Sequence, residues 1–173
     1  MKIYFTSDLH LGHDNIIRFC SRPFSSVDEM NDKIIQNYNS IIHKNDLVYI
    51  LGDLTYKISV EESNNLIQQL KGHKVLIRGN HDLKYDSSLF DDILDYKEFN
   101  YSKVKYVLMH YPLMEWVDSY KKKSIHLHGH IHSSSEYNRK NLENGIMRYD
   151  VGVDANNYYP VSLEYIENYF KNR

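Results

Sequence analysis

Ile3-Tyr4-Phe5-Thr6-Ser7-Asp8-Leu9-His10 is the stretch whose reading decides the fold. Its apolar start reads as a short buried strand. The Asp-x-His pair that follows falls where the C-terminal end of that strand belongs. Open α/β sheets bind ligands outside the carboxyl ends of their strands, so a carboxylate and an imidazole two residues apart would reach one crevice. The arrangement recurs downstream. Leu47-Val48-Tyr49-Ile50-Leu51 is a continuous apolar run of buried-strand type and ends in Gly52-Asp53. Val75-Leu76-Ile77 runs into Arg78-Gly79-Asn80-His81-Asp82.

Between these runs the period changes from strand to helix. Asp14 to Cys20 reads as a short helix with Asp14 as its cap, closed by Pro23. Ser26-Val27-Asp28-Glu29 fits a capping box, after which Met30, Ile34, Tyr38 and Ile41/Ile42 recur at helical spacing to about His43. Ser59-Val60-Glu61-Glu62 is a second box, opening a helix through Leu66, Ile67 and Leu70 toward Gly72. Strands alternating with helices predict right-handed crossovers and a parallel sheet. From Tyr96 the character shifts: Tyr96–Tyr101, Lys105–Met109, Ser124–Leu127 and Ile146–Val153 read as strands with little helix between them. Ser162 then caps a final amphipathic helix, Leu163 to Phe170. The second half is therefore expected to form a β-rich layer, a second sheet packed beside the first.

The chain has 173 residues, enough to bury a sizeable core, and reads as one domain over 1–173 without repeats or linkers. Its formal net charge of −2 supplies no basic stripe for an obligatory nucleic-acid partner. Lys121-Lys122-Lys123 reads as a solvated loop. A single cysteine, Cys20, excludes an intramolecular disulfide and Cys-rich zinc motifs. No apolar run reaches the roughly 18 residues of a membrane span, and the N-terminus enters a strand rather than a signal segment. The expected compartment is the cytoplasm.

The polar residues at the strand ends are Asp8, His10, Asp53, Asn80, His110 and the run Gly129-His130-Ile131-His132. Oxygen donors mixed with imidazoles suit borderline divalent ions such as Mn²⁺, Fe²⁺ or Zn²⁺. Two such ions about 3.5–4 Å apart form a hydrolytic clamp. Seven ligands fill it if one carboxylate bridges, and Asp53, alone on its strand end, is the candidate. His128 and His126 read as supporting or structural histidines.

In this order, Asp8-Leu9-His10, Gly52-Asp53, Gly79-Asn80-His81-Asp82, His110 and Gly129-His130-Ile131-His132 resemble the blocks of the calcineurin-like metallophosphoesterase superfamily. Leu9 to His13 and Arg22-Pro23-Phe24 further resemble its small single-domain bacterial and phage members. The resemblance implies an α/β fold, a four-layer α-β-β-α sandwich of two mixed sheets flanked by helices. It implies one metal on Asp8, His10 and His132, a second on Asn80, His110 and His130, and Asp53 between them. The implied cofactors are two divalent ions, Mn²⁺ first, with Fe²⁺, Zn²⁺ or Co²⁺ as alternatives. The implied reaction is hydrolysis of a phosphoric ester by a metal-bridging hydroxide, with His81 protonating the leaving group.

Arg78, His13 and Arg22 are candidate substrate contacts; guanidinium geometry suits a phosphate. The expected substrate is a small phosphodiester or phosphomonoester, nucleotide-derived in one reading, with no membrane partner. Monoester against diester, and the oligomeric state, stay open. The chain departs from the protein Ser/Thr phosphatase branch at Gly52-Asp53-Leu54-Thr55-Tyr56-Lys57, which lacks the second Asp that orients the catalytic histidine there. Two other readings compete: a non-catalytic metal-binding scaffold of the same fold, and a nuclease.

Overall fold

The three apolar runs lie side by side in a computed structural model, which describes residues 1–171. They form β1 (Ile3–Thr6), β2 (Leu47–Ile50) and β3 (His73–Ile77), mutually parallel, and β4 (Asp92–Leu94) extends the sheet in the same sense. The strand β9 (Val161–Ser162) pairs antiparallel with β1, giving the order β4-β3-β2-β1-β9. These strands read as unbroken apolar runs because both of their faces are covered. Tyr4, Val48, Ile50 and Leu76 pack against Met30, Ile34, Tyr38 and Ile67 of the helices on one side. Those helices include α2 (Val27–Ile41) and α3 (Val60–Gln68), and Ile16 of α1 (Asp14–Phe19) joins the same core. Phe5, Tyr49, Leu51, Val75 and Ile77 point the other way, into the core between the sheets.

The second sheet has the order β5-β6-β7-β8, from β5 (Lys97–Tyr101), β6 (Val104–Leu108), β7 (Ser124–His128) and β8 (Arg148–Asp150). β5 and β6 form an antiparallel hairpin; the remaining pairs are parallel. Its inner face carries Tyr106, Leu108, Ile125, Leu127 and Tyr149. A run of near-parallel rings crosses the interface: Phe5–Tyr49 at 5.7 Å, Tyr49–Phe99 at 5.5 Å and Phe99–Tyr106 at 5.1 Å. The final helix, α5 (Leu163–Lys171), drives Leu163, Ile166 and Phe170 into this core. On the outer face of β7, His126 meets Trp116, and His128 meets Tyr137 of α4 (Ser135–Glu143). The result is two mixed sheets face to face with helices outside.

Several local expectations need correction. The helix α4 falls where little helix was expected, because Ser135–Glu143 has almost no apolar stripe; it buries Asn138 and Asn141 instead. Asn138 works as a backbone surrogate: its Nδ2 donates to the Asp150 carbonyl at 3.0 Å, and its Oδ1 accepts from the Asp150 N–H at 2.7 Å. The expected strand 146–153 contracts to β8, since the chain turns at Gly152 into a short 3₁₀ segment, Val153–Ala155. The short strands β4 and β9 carry too little pattern to read. The first capping box is partial: Ser26 accepts from the Glu29 N–H, but the Glu29 carboxylate turns to Ser25. The second is complete, Ser59 and Glu62 each accepting from the other's N–H. Asp14 begins α1 rather than capping it.

Removing the amide of Asn138 leaves the buried Asp150 N–H without its partner, while the Asp150 carbonyl keeps Asn156 Nδ2. Asn138→Ala should therefore cost about 1–3 kcal/mol, read as a lower urea midpoint with unchanged slope.

Candidate metal centre

Each candidate ligand sits two to four residues past the end of a strand, and backbone pairing continues past the strand ends to lock the loops together. The Asp8 N–H donates to the Gly52 carbonyl, His10 to Asp53 and Leu11 to Leu54, each at about 3 Å. In the second sheet the Gly129 N–H donates to the His110 carbonyl at 3.0 Å. This pairing forces unusual backbone. Asp8, His10, Asp53, His130 and His132 all adopt positive φ, from 46° to 74°. Asp and His tolerate this left-handed region better than most residues, yet it still costs energy and persists only where surroundings impose it.

Two glycines permit the close approach of the loops. A Cβ on Gly129 would strike the Ser7 hydroxyl and the Asp8 carboxylate, and one on Gly79 would strike Asp53.

Two groups of donors result. Asp8, His10 and His132 place ligand atoms within 4.8 Å of one another, as do Asp53, His110 and His130. Asn80 joins the second group, its Oδ1 lying 3.1 Å from His110 Nε2, and His130 Nδ1 lies 3.2 Å from the same nitrogen. Asp53 Oδ2 lies between the groups, 3.5 Å from His10 Nε2 and 3.6 Å from His110 Nε2. The structure thus gathers all seven residues singled out in the sequence.

The donor chemistry fits divalent cations. His110 Nδ1 lies 2.7 Å from the Leu51 carbonyl, which can only accept, so the proton is on Nδ1 and the Nε2 lone pair faces the cluster. His132 Nδ1 lies 2.8 Å from Asp154 Oδ2, the carboxylate–histidine pairing that orients metal-ligating imidazoles. His10 Nδ1 lies 3.3 Å from His13 Nδ1, while its buried Nε2 has no hydrogen-bond partner. A buried polar atom is normally satisfied, so an orphan aimed at a carboxylate oxygen marks a place for a cation.

The electrostatics agree. Burial, with Asp150 and Asp53 nearby, raises the Asp8 carboxyl well above its usual range despite His132. Burial and the neighbouring His132 and Arg22 push His10 down to about 2. His132 is drawn the other way: burial lowers it, but hydrogen bonds to Asp154 and Cys20 and the charge of Asp8 carry it up to about 10. The Asp8 carboxyl, which resists ionisation, beside the His10 imidazole, which resists protonation, is what a bound cation would relieve, whereas His132 would have to give up a proton to ligate one.

The other expected residues part company. His13 belongs to the cluster's wall, with its ring 4.2 Å from Tyr56; burial, then Lys57 and Arg22, push it down to about 4. His81 donates its backbone N–H to Asp53 Oδ1 at 3.0 Å, and its ring meets those of Tyr56 and His10.

Arg22 is buried beneath the site rather than lining a cleft. It grips both Asp154 oxygens at 2.8 and 2.9 Å and donates to the carbonyls of Asp8 and Leu9. Arg78 is not brought to the cluster: its exposed guanidinium meets Asp95 at 3.2 Å. His126 and His128 are consumed structurally; His126 bonds the Val107 carbonyl and the Leu113 N–H, and His128 the Gly129 carbonyl and Tyr137.

Two further residues carry the site's geometry. Asp82 accepts from the N–H groups of Asp53, Leu54 and Gly79 and from the Tyr85 hydroxyl, riveting two strand ends together. It therefore does not orient His81. Asp154 links Arg22 to His132, a contact across 132 residues of chain for Arg22 that local pattern cannot reveal.

Asp154→Asn should weaken Mn²⁺ binding about 10- to 100-fold in a calorimetric titration, because the ring of His132 loses its anionic partner. Arg22→Met leaves Asp154 without its buried guanidinium and should cost about 3–5 kcal/mol in denaturant unfolding.

A family profile described as calcineurin-like phosphoesterase matches residues 1–163. The chain is 37% identical over 166 residues to the uncharacterized protein MJ1445 of Methanocaldococcus jannaschii, covering 95% of this chain and 89% of that protein. It is 35% identical over 81 residues to the Gene 66 protein of Mycobacterium phage L5, covering 46% of this chain and 39% of that one. Among solved structures, the protein of unknown function AQ665 from Aquifex aeolicus superposes with a TM-score of 0.78 at 28% identity, covering 96% of this chain and 98% of its own. The chain belongs to the calcineurin-like phosphoesterase family.

Proposed function

We propose that this chain, acting as a single domain over residues 1–173, is a two-metal phosphoesterase that hydrolyses a small phosphodiester or phosphomonoester. The observation that carries the reading is Asp53 Oδ2 midway between two imidazole nitrogens, one from each donor group. Asp8, His10 and His132 would hold one divalent ion, Asn80, His110 and His130 the other, and Asp53 would bridge. Mn²⁺ is the first choice, with Fe²⁺, Zn²⁺ or Co²⁺ as alternatives, since oxygen and imidazole donors suit them all. Such a pair supplies Lewis acidity and lowers the pKa of coordinated water toward neutrality.

The protein residues supply geometry and protons. Asp53 contributes the one carboxylate shared by both groups, held by the Asp82 and His81 contacts described above. His81 lies beside the cluster with its ring free of any carboxylate partner among the described residues, which suits a group that must present a proton to a departing alkoxide. His13 and Asp154 fix the imidazoles of His10 and His132. Arg22 works through the backbone of Asp8 and through Asp154, as a positioning residue and not a substrate contact. Arg78 is left as a surface ion pair.

A scaffold that had lost catalysis would be expected to have lost ligands, and every donor position and His81 are present here. The net charge of −2 gives a nuclease reading no support. A cytoplasmic setting is part of the proposal; among the described residues no helix is long and apolar enough to cross a membrane.

Purified protein reconstituted with each ion should turn over bis-p-nitrophenyl phosphate or p-nitrophenyl phosphate. Inactivity toward both, and toward a nucleotide panel, with all four ions would overturn the proposal. Asp53→Asn should lower metal occupancy and abolish nearly all turnover. His81→Ala should retain metal and slow esters with poor leaving groups most, by roughly 10²–10⁴-fold; equal slowing of good and poor leaving groups would contradict the acid role.

A further inference from the structure

The wall beside His81 has features that the reaction chemistry leaves unused. Tyr56 is half-buried, and its backbone N–H donates to the Leu11 carbonyl at 3.2 Å, next to the Leu11–Thr55 bridge. Its backbone is therefore fixed beside the cluster. Its ring lies 4.5 Å from the His81 ring, 4.2 Å from His13 and 6.1 Å from His10. Its hydroxyl makes no hydrogen bond among the described residues. Beside it, the exposed Lys57 carries its ammonium 5.2 Å from the ring centre and has no carboxylate partner among those residues. Phe19 continues the aromatic surface: it is 68% exposed, and its ring lies 6.3 Å from that of His13.

We infer that Tyr56, with Lys57 beside it, forms a leaving-group subsite that takes a planar ring, making the preferred substrate a nucleoside phosphate ester. The inference rests on the phosphoesterase reading and on His81 as the acid. An acid must sit within hydrogen-bond reach of the leaving oxygen. The atoms beyond that oxygen then pass the ring next to His81, which is Tyr56. Stacking on an aromatic side chain tolerates any base, because every base has a π-face. The Lys57 charge attracts the anionic ester toward the same wall.

The test uses competitive inhibition of whichever chromogenic ester the Mn²⁺-loaded protein hydrolyses, comparing AMP with ribose 5-phosphate. Both present the same phosphate on the same primary carbon and differ in the base. AMP should inhibit at least about tenfold more tightly, as expected for one stacked base. Tyr56→Leu, which keeps apolar bulk without a π-face, and Tyr56→Ala should each bring the ratio of inhibition constants to within about twofold of unity. Tyr56→Phe should preserve it. A ratio near one in the unaltered protein, or a tenfold ratio that survives both Tyr56→Leu and Tyr56→Ala, would overturn the inference.

If no chromogenic ester is hydrolysed with any ion, it is the phosphoesterase reading that fails. Calorimetric binding of AMP against ribose 5-phosphate to the Mn²⁺-loaded protein then decides the ring subsite separately, by the same ratio and the same variants.

Discussion

One carboxylate oxygen, Asp53 Oδ2, is approached from two sides by imidazole nitrogens that belong to different sheets. His10 follows β1 of the first sheet and His110 follows β6 of the second, at 3.5 and 3.6 Å. Both sheets must therefore end their strands at the same edge of the sandwich and in register. The ring stack through Phe5, Tyr49, Phe99 and Tyr106 and the shared apolar core set that register far from the polar edge. Burial does the rest. A carboxylate withdrawn from water is costly unless it is paired, and burial lowers the neighbouring imidazoles of His10 and His130, so this side of the site favours added positive charge.

Five of the seven donors sit in left-handed backbone. Loops with that conformation do not form by local preference, and the structure holds them with buried polar contacts instead. Asp82 gathers three N–H groups from the ends of β2 and β3. Arg22 clamps the carbonyls of Asp8 and Leu9 and, through Asp154, the ring of His132. The candidate ligands are thus held in place by the protein itself, and a site so ordered would spend little binding energy on arranging them. The backbone of Tyr56 is tied to the same loops through the Leu11 carbonyl, which places its ring 4.5 Å from that of His81.

What could be read in the sequence was what burial writes into short stretches. β1, β2 and β3 are covered on both faces, so they appear as apolar runs, and the polar residues that end them stand out. The seven donors were legible for that reason, together with the order of their blocks. Helix α4 was not legible, because it buries amides that serve the backbone of Asp150 in place of an apolar stripe.

Reading Arg22 and Arg78 as cleft residues rests on guanidinium geometry and on their nearness in sequence to the polar blocks. The fold turned one inward beneath the ligands and paired the other with Asp95, and neither outcome has a local signature. Asp154 and Asp82 act through tertiary contacts and backbone donors, which pattern and composition do not record. His126 and His128 share the parity of His130 and His132 but read as structural histidines, and the fold places them so: β7 ends at His128, and the chain turns before His130.

The central claim is that two cations share Asp53. Anomalous diffraction at the manganese edge, from crystals grown in saturating Mn²⁺, tests it most directly. The account predicts two peaks flanking Asp53 Oδ2, one against Asp8, His10 and His132 and the other against Asn80, His110 and His130. A single peak, or none beside Asp53, would contradict it.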